Sequence, residues 1–532
     1  MICSSNTIST ARALAAAVLL TLFSAGTVRG DAPRDLLAEA RTALDRGDAV
    51  SAEVRLRSAL KSGVPADAVR ASLGQALLEQ GNLGAAREIL YAGDFAPTSA
   101  AEGWHQRGRL ELAEGRLPEA GLAFDRSYRL APDDAGLWTD IARLRFTGGE
   151  QAQAIEAAER AVKLGPRDPR ALEMRGLLVR EQFGLVAALP WFEAGLRSAP
   201  EDVSLLGEYA ATLGELGHYR AMLVVCRKLA KIDPANVRAL YLQAVLAARA
   251  GQTTLARKIL LSTKGALRDM PAALLLNGVL EYRAGNANLA VGFLDRLVRM
   301  QPDNMQARML LARALVRQRL SAEAVEVLQD WAPRDFAPRY MVQTMGMALA
   351  QLGRKQDATR YFERVRSDPT EITGVLPAGQ AVGVLALSYA ERPNIAATTV
   401  PYLRGLLDTG DAGRAVAVAQ QLQRANPGTA EAWLLFGDAR LLDGDHLGAL
   451  DAYGRAALIR FNWPTLRRLD QAMRLAGRPA EANALVARYL MQNPGNPQAL
   501  KLLAAGRVEA GNEKGATAIE TVLVERGLRN PS

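Results

Sequence analysis

Residues 104–132, WHQRGRLELAEGRLPEAGLAFDRSYRLAP, and residues 138–166, WTDIARLRFTGGEQAQAIEAAERAVKLGP, are two versions of one pattern displaced by 34 positions. Each opens on tryptophan and closes on proline, Pro132 or Pro166. In between lie a small residue (Gly108, Ala142), a glycine (Gly115, Gly149) and an alanine (Ala120, Ala154) at matching places. The residue types read as a pair of helices. Gly115 ends the first helix because glycine accepts the left-handed backbone that a helix end needs. Ala120 lets the second helix come close to the first, and Phe124 fills the gap between them. Pro132 opens the turn to the next pair, since proline cannot continue a helix.

Outward from this stretch the punctuation persists. Pro132, Pro166, Pro200 and Pro234 are each 34 apart, and Pro302 falls two periods later. Gly115, Gly149, Gly217, Gly251, Gly285 and Gly353 keep the same spacing or multiples of it, as do Gly108, Ala142, Gly176, Ala210, Ala244, Gly278, Ala312 and Gly346. A third series runs Ala120, Ala154, Ala188, Ala256, Ala290, Ala324 and Ala358. A 34-residue period punctuated in this way resembles the tetratricopeptide repeat family. That resemblance implies an all-α, right-handed superhelical solenoid of about 14 helix–turn–helix units, from near Arg34 to about Glu525. No unit can bury its apolar stripe alone, whereas stacked units share one core.

Several units are degenerate. The first has no aromatic anchor, and Phe183 and Arg319 stand at turns where glycine is usual. Met222 and Cys226 replace the small and large residues of a second helix, so Cys226 reads as core filler, the common fate of a free cysteine. The register breaks between Asp368 and Ile395, which hold Pro369, Pro377 and Pro393. The break reads as an irregular connection or a distorted helical pair, and the expected organisation is an N-terminal array over 31–370, an irregular connection over 371–395 and a C-terminal array over 396–532.

Composition agrees. Of 532 residues 49% are hydrophobic, enough to exclude wholesale disorder. Aromatics reach only 5%, few for a strand-built fold. Three histidines and two cysteines leave little material for a metal centre, and no metal or cofactor is expected. Residues 1–30 differ from the rest: Arg12 precedes an uncharged Ala/Leu-rich run, Ala13–Gly26, too short for a comfortable membrane span and suited to a secretory signal. Val28-Arg29-Gly30 before Asp31 offers a cleavage site, as does Ser24-Ala25-Gly26. The reading is a periplasmic or secreted protein with no membrane span after cleavage; retention of the segment would make it an inner-membrane anchor. Cleavage would leave Cys226 as a lone cysteine, unable to form an internal disulfide. It would also lower the net charge from +9 to about +7 by removing Arg12 and Arg29. That mild excess, with no aromatic–basic motif, speaks against nucleic acid.

No phosphate loop, dinucleotide fingerprint, zinc-protease helix or nucleophile elbow occurs. His105, His218 and His446 lie in separate units and read as helix or turn residues. The pairs Asp133-Asp134 and Glu201-Asp202 stand where a unit begins, and there they stabilise the positive end of the next helix. Enzymes that the array resembles, the protein O-linked N-acetylglucosamine transferases, carry a separate catalytic domain, and here little chain is left for one. The chain is therefore read as a non-enzyme.

What remains is surface. The resemblance places the first helix of each unit along a concave groove, and projects onto it Arg109, Arg143, Arg180, Arg249, Arg283, Arg313 and Arg317. Glu173, Glu181, Glu208 and Glu215 intervene, so the early groove is mixed. From Ala239 to Ala350 it turns basic and oily, with Tyr241, Arg249, Tyr282, Arg283, Met309, Arg313, Arg317, Tyr340, Gln343 and Met347. Arginine can fork onto carboxylates, and methionine adapts to irregular apolar contacts. The Lys/Asn carboxylate clamp of chaperone-binding members has no clear match. The expected function is a periplasmic protein–protein interaction scaffold, resembling those of exopolysaccharide export and envelope assembly. Its expected partners are other envelope proteins (a synthase, an outer-membrane pore or assembly factors). The alternatives are direct binding of an anionic polysaccharide and a repeat-linked transferase.

Overall fold

The computed structural model describes residues 33–334, 337–366, 378–393 and 395–525. The expected signal segment, residues 1–30, lies outside them. The chain forms two compact units that divide between Glu114 and Gly115. The first holds α1 (Pro33–Asp45), α2 (Ala49–Lys61), α3 (Ala66–Glu79), α4 (Leu83–Tyr91) and α5 (Ala100–Ala113). The second begins with α6 (Leu117–Leu130), α7 (Ala135–Thr147), α8 (Gln151–Leu164), α9 (Pro169–Gln182), α10 (Leu185–Ser198), α11 (Val203–Glu215) and α12 (Tyr219–Ile232). It continues through α13 (Val237–Arg249), α14 (Thr253–Ser262), α15 (Pro271–Arg283), α16 (Ala287–Met300), α17 (Met305–Arg317), α18 (Ser321–Leu328), α19 (Arg339–Gln351) and α20 (Lys355–Arg366). After α21 (Val382–Glu391) come α22 (Ala396–Thr409), α23 (Ala412–Ala425), α24 (Ala430–Leu442), α25 (His446–Ile459), α26 (Trp463–Leu475), α27 (Pro479–Gln492), α28 (Pro497–Glu509) and α29 (Glu513–Glu525).

The punctuation acts as the residue types dictate. Gly115, Gly149, Gly217, Gly251, Gly285 and Gly353 all take positive φ in the turn between the two helices of a unit. The two exceptions in the sequence resolve differently. Arg319 adopts the left-handed backbone itself, at φ 62°. Phe183 keeps a negative φ and the next residue, Gly184, supplies the turn at φ 122°. Unit starts are capped as expected: Asp134 and Asp202 accept from the amides of Leu137 and Leu205. Trp138 and Trp433 each donate their indole N–H to the carbonyl of the punctuating proline, Pro132 and Pro427, at 2.8 Å. This bond ties the opening aromatic to the turn before it.

Close approach of the paired helices rests on glycine in the first and a large residue 16 positions later in the second. A Cβ added at Gly74, Gly176, Gly278, Gly346 or Gly437 would meet the side chain of Leu90, Phe192, Leu294, Phe362 or Tyr453 at 2.3–2.8 Å. These large residues sit where those glycines leave space, and Phe192, Leu294 and Tyr453 are fully buried. In the first unit Ala40, Leu56, Leu73, Leu77, Leu90 and Leu110 belong to one core. Its surface carries Arg107, whose guanidinium lies 4.5–4.8 Å from the ring centroids of Tyr91, Phe95 and Trp104.

In the second unit the first helices touch in succession, α7 with α9, α9 with α11, and on through α13, α15, α17 and α19. The second helices form no such line, so they splay while the first helices make the inner layer. The break in the repeat register is not irregular throughout. Within 371–395, α21 is helical and packs on α22, while residues 371–377 and Asn394 lie outside the described residues.

The second unit also curls back on itself. Residues of α8–α10 meet residues about 280 positions later, roughly eight repeats on. The Ala152 amide donates to the Gly428 carbonyl at 3.0 Å. The Leu185 and Ala187 amides donate to Asn493 Oδ1 at 3.4 Å and Gln492 Oε1 at 2.9 Å. Arg460 reaches Glu181 at 2.8 Å. The helices so engaged, α8 and α10, are ones whose own cap residues, Glu150 and Gly184, make no side-chain cap. A helix start with orphan N–H groups is satisfied by the next turn of the array instead of by its neighbour in sequence.

Candidate functional site

Four consecutive first helices, α13, α15, α17 and α19, carry a single acid among them, Glu281. That acid is buried and held by Arg257 of α14 at 2.7 Å. The same helices carry Arg249, Arg283, Arg313 and Arg317, all exposed, and none forms an ion pair among the described residues. Aromatic rings take the place of carboxylates. The Arg313 guanidinium lies 5.4 Å from the centroid of Tyr282 and 4.7 Å from that of Tyr340, bridging α15 and α19. Arg317 lies 5.3 Å from the Tyr282 centroid and donates to the Tyr282 carbonyl at 3.1 Å. Stacking engages the flat face of a guanidinium and leaves its in-plane N–H donors pointing outward, the edge that forks onto a carboxylate.

The remaining projected residues divide. Tyr241 is half-buried in the core between α11 and α14; burial pushes its phenol up, with Arg249 opposing. Arg249 turns toward α12, donating to the Tyr219 hydroxyl at 2.7 Å and covering its ring, so it stands apart from the Tyr282–Arg313–Tyr340 ladder. Met309 and Met347 are half-buried against apolar clusters and present only part of their surface. Gln343 and Arg283 are exposed.

Earlier in the array two of the projected arginines, Arg109 and Arg180, are already spent, while Arg143 is exposed. Arg109 faces Glu79 at 3.9 Å and Gln106 at 2.8 Å in the first unit. In the second, Arg180 meets Glu208 and Thr212, each at 3.1 Å. Three acids join consecutive first helices through an arginine 30 positions on: Asp140 with Arg170, Glu208 with Arg238 and Asp438 with Arg468. The Asp438 carboxylate accepts two bonds from Arg468, at 2.7 and 2.8 Å, and one from the buried Tyr453 hydroxyl at 2.8 Å. Such acids hold adjacent repeats together. Glu173 is also buried, and burial pushes its carboxyl above the ordinary range against a bond from Ser204.

Cys226 is fully buried beside Ala210, Leu213 and Met222, and burial pushes its thiol up to about 11, which suits filler and not a nucleophile. Sequence reasoning missed the stacking partner Tyr219 and the self-contact of the array. The first lies in a second helix, outside the projected groove, and the second depends on curvature accumulated over many repeats. Among the described residues no helix is long and apolar enough to cross a membrane.

The chain is similar to known proteins at the level of the repeat. Residues 37–100, 139–203, 275–338 and 404–465 match a tetratricopeptide repeat family model. A cytochrome c-type biogenesis protein, CycH of Rhizobium meliloti (strain 1021), is 29% identical over 117 residues. The match spans 21% of this chain and 31% of the relative, under a third of its length. Among solved structures, the APC/C hetero-tetramer Cut9-Hcn1 aligns over 89% of this chain and 96% of its own at 14% identity and TM-score 0.33. Pseudomonas aeruginosa pilF aligns over 41% of this chain and 99% of its own at 17% identity and TM-score 0.35. Repeat period, helix pairs and family model together support the tetratricopeptide repeat family, and the fold is that of an all-α tetratricopeptide repeat solenoid.

Proposed function

We propose that the chain is a non-catalytic scaffold of the bacterial envelope, exported to the periplasm, that binds an acidic, extended polypeptide segment of a partner along α13–α19. One observation carries the reading: among the described residues Arg283, Arg313 and Arg317 have no acidic partner, while the Tyr282–Arg313–Tyr340 ladder holds a guanidinium in place. Prepaid ordering favours binding, because a stacked arginine loses less freedom when a carboxylate arrives. An anionic polysaccharide is the second reading. It is disfavoured because Tyr282, a ring on which a sugar could stack, already has Arg313 and Arg317 over it. The likeness to a cytochrome c-type biogenesis protein fits an assembly role, and exopolysaccharide export is another setting for the same scaffold.

The test is capture. Cells are cross-linked, the protein is isolated from the periplasmic fraction, and its partners are identified for the native chain and for Arg249→Glu/Arg283→Glu/Arg313→Glu. The expected outcome is a defined envelope partner that the triple variant loses. An unchanged partner set rejects the surface, and recovery only from cytosol rejects export.

A further inference from the structure

A second basic surface lies on the other layer of the array, built from different residues except Arg249, which turns from the first surface onto its rim. Between α12 and α14, above α13, a cleft of about 760 Å³ opens. Its walls are apolar: Leu223 and Ala230 on α12, Leu246 on α13, and Leu255 and Ile259 on α14. Leu223 and Leu255 are 38% and 44% exposed, a large apolar display for two leucines facing one trough. The sequence explains the opening. Cys226 stands 16 residues after Ala210, the place that Phe192 and Phe362 hold after Gly176 and Gly346, and it lines the cleft. A cysteine there is several atoms short of a phenylalanine, so this position fills less of the space beneath the cleft, though Cys226 itself is fully buried.

Charge marks the same place. The rim carries Arg220, Arg227, Lys231 and Arg249, and no acid lines the cleft. Arg220, Arg227 and Lys231 are exposed and form no ion pair among the described residues. Residues 219–262 hold eight Lys and Arg against one acid, Asp233, and among the described residues only Arg238 and Arg257 of the eight pair with acids outside the stretch, Glu208 and Glu281. The lining residues of α12 run from Tyr219 to Lys231 at three- and four-residue steps, a trough of about 18 Å along the helix axis, or roughly three helical turns.

We propose that this cleft docks an amphipathic helix of a partner protein, its apolar stripe seated between α12 and α14 and its acidic flanks against Arg220, Arg227 and Lys231. Trough length and an apolar floor match the i, i+3, i+4, i+7 anchors of helix-in-groove recognition. The cationic rim selects an acidic helix over a neutral or basic one. The site is independent of the α15–α19 ladder, so the scaffold would hold two segments at once.

The test uses the purified full chain and a labelled synthetic peptide of about 16 residues with leucine at helical spacing and glutamate flanking it. Its counterpart replaces each glutamate with lysine. Anisotropy titration should show the glutamate peptide binding at least about tenfold more tightly than the lysine peptide, and weakening as salt rises. Arg220→Glu/Arg227→Glu/Lys231→Glu should weaken it about tenfold or more, and Leu255→Glu, at an exposed position, should do the same with the thermal midpoint unchanged. Arg283→Glu/Arg313→Glu should leave it unaltered; loss in that variant places the peptide on the ladder and overturns the cleft. Equal binding to native and triple-variant chains overturns it as well. So does binding to phosphatidylglycerol vesicles but not to the glutamate peptide, which would make the patch a membrane contact.

Discussion

At the scale of single residues, burial decides which charges are structural and which are available. Glu173 is 7% exposed, and burial raises its carboxyl above the ordinary value of 4.5. The folded chain thus holds that proton more tightly than the unfolded chain does. The linked stability is present in full below about 4.5 and falls as pH rises through the folded value. Glu173→Gln keeps an acceptor for Ser204 and cannot ionise. Melting of the two proteins between acid and neutral pH should show equal midpoints at the acid end and a variant increasingly favoured toward neutrality. A variant that loses ground as pH rises would show that the charged form is the stabilising one. The identity of Glu173 was plain in the sequence, but its burial was not, because an acid in a polar-looking helix gives no sign of which neighbour covers it.

At the scale of helices, the fit of one helix to its partner depends on the glycine positions of the repeat. A Cβ at Gly437 would lie 2.3 Å from Tyr453, which is fully buried and held by Asp438. Gly437→Ala should therefore cost about 1–3 kcal/mol, the range for overfilling a packed site. Gly454, inside α25, has nothing near its would-be Cβ, and Gly454→Ala should stabilise by about 0.5–1 kcal/mol through helix propensity. Urea unfolding of the two variants should move in opposite directions; movement in the same direction would mean that the Gly437 contact relaxes without cost. The repeat spacing showed where small residues recur. It also gave Phe124 the gap between its two helices, but did not show which small residue of the first helix faces the ring, since a small residue and a large one can be paired across several helices.

At the scale of the second unit, curvature brings distant repeats together. The amides that open α10 are satisfied by Gln492 and Asn493, some 300 residues later. Removing both side chains by Gln492→Ala/Asn493→Ala withdraws a cap worth about 1 kcal/mol. Hydrogen exchange at the start of α10 should then quicken about fivefold, with little change in distant helices. Exchange that stays at the native rate would mean the contact adds nothing to closure.

The sequence alone determined the helix pairs and their stacking, because a 34-residue period writes the same glycine, alanine and proline at the same structural place in each copy. It also named the arginines and tyrosines of the first helices. Only the tertiary structure decided which of those arginines meet acids, that Arg313 lies between two tyrosine rings, that Arg249 turns away from them, and that α8 and α10 are capped from the next turn. Those outcomes depend on small rotations from one repeat to the next that add up along the array, and no local run of residues encodes their sum.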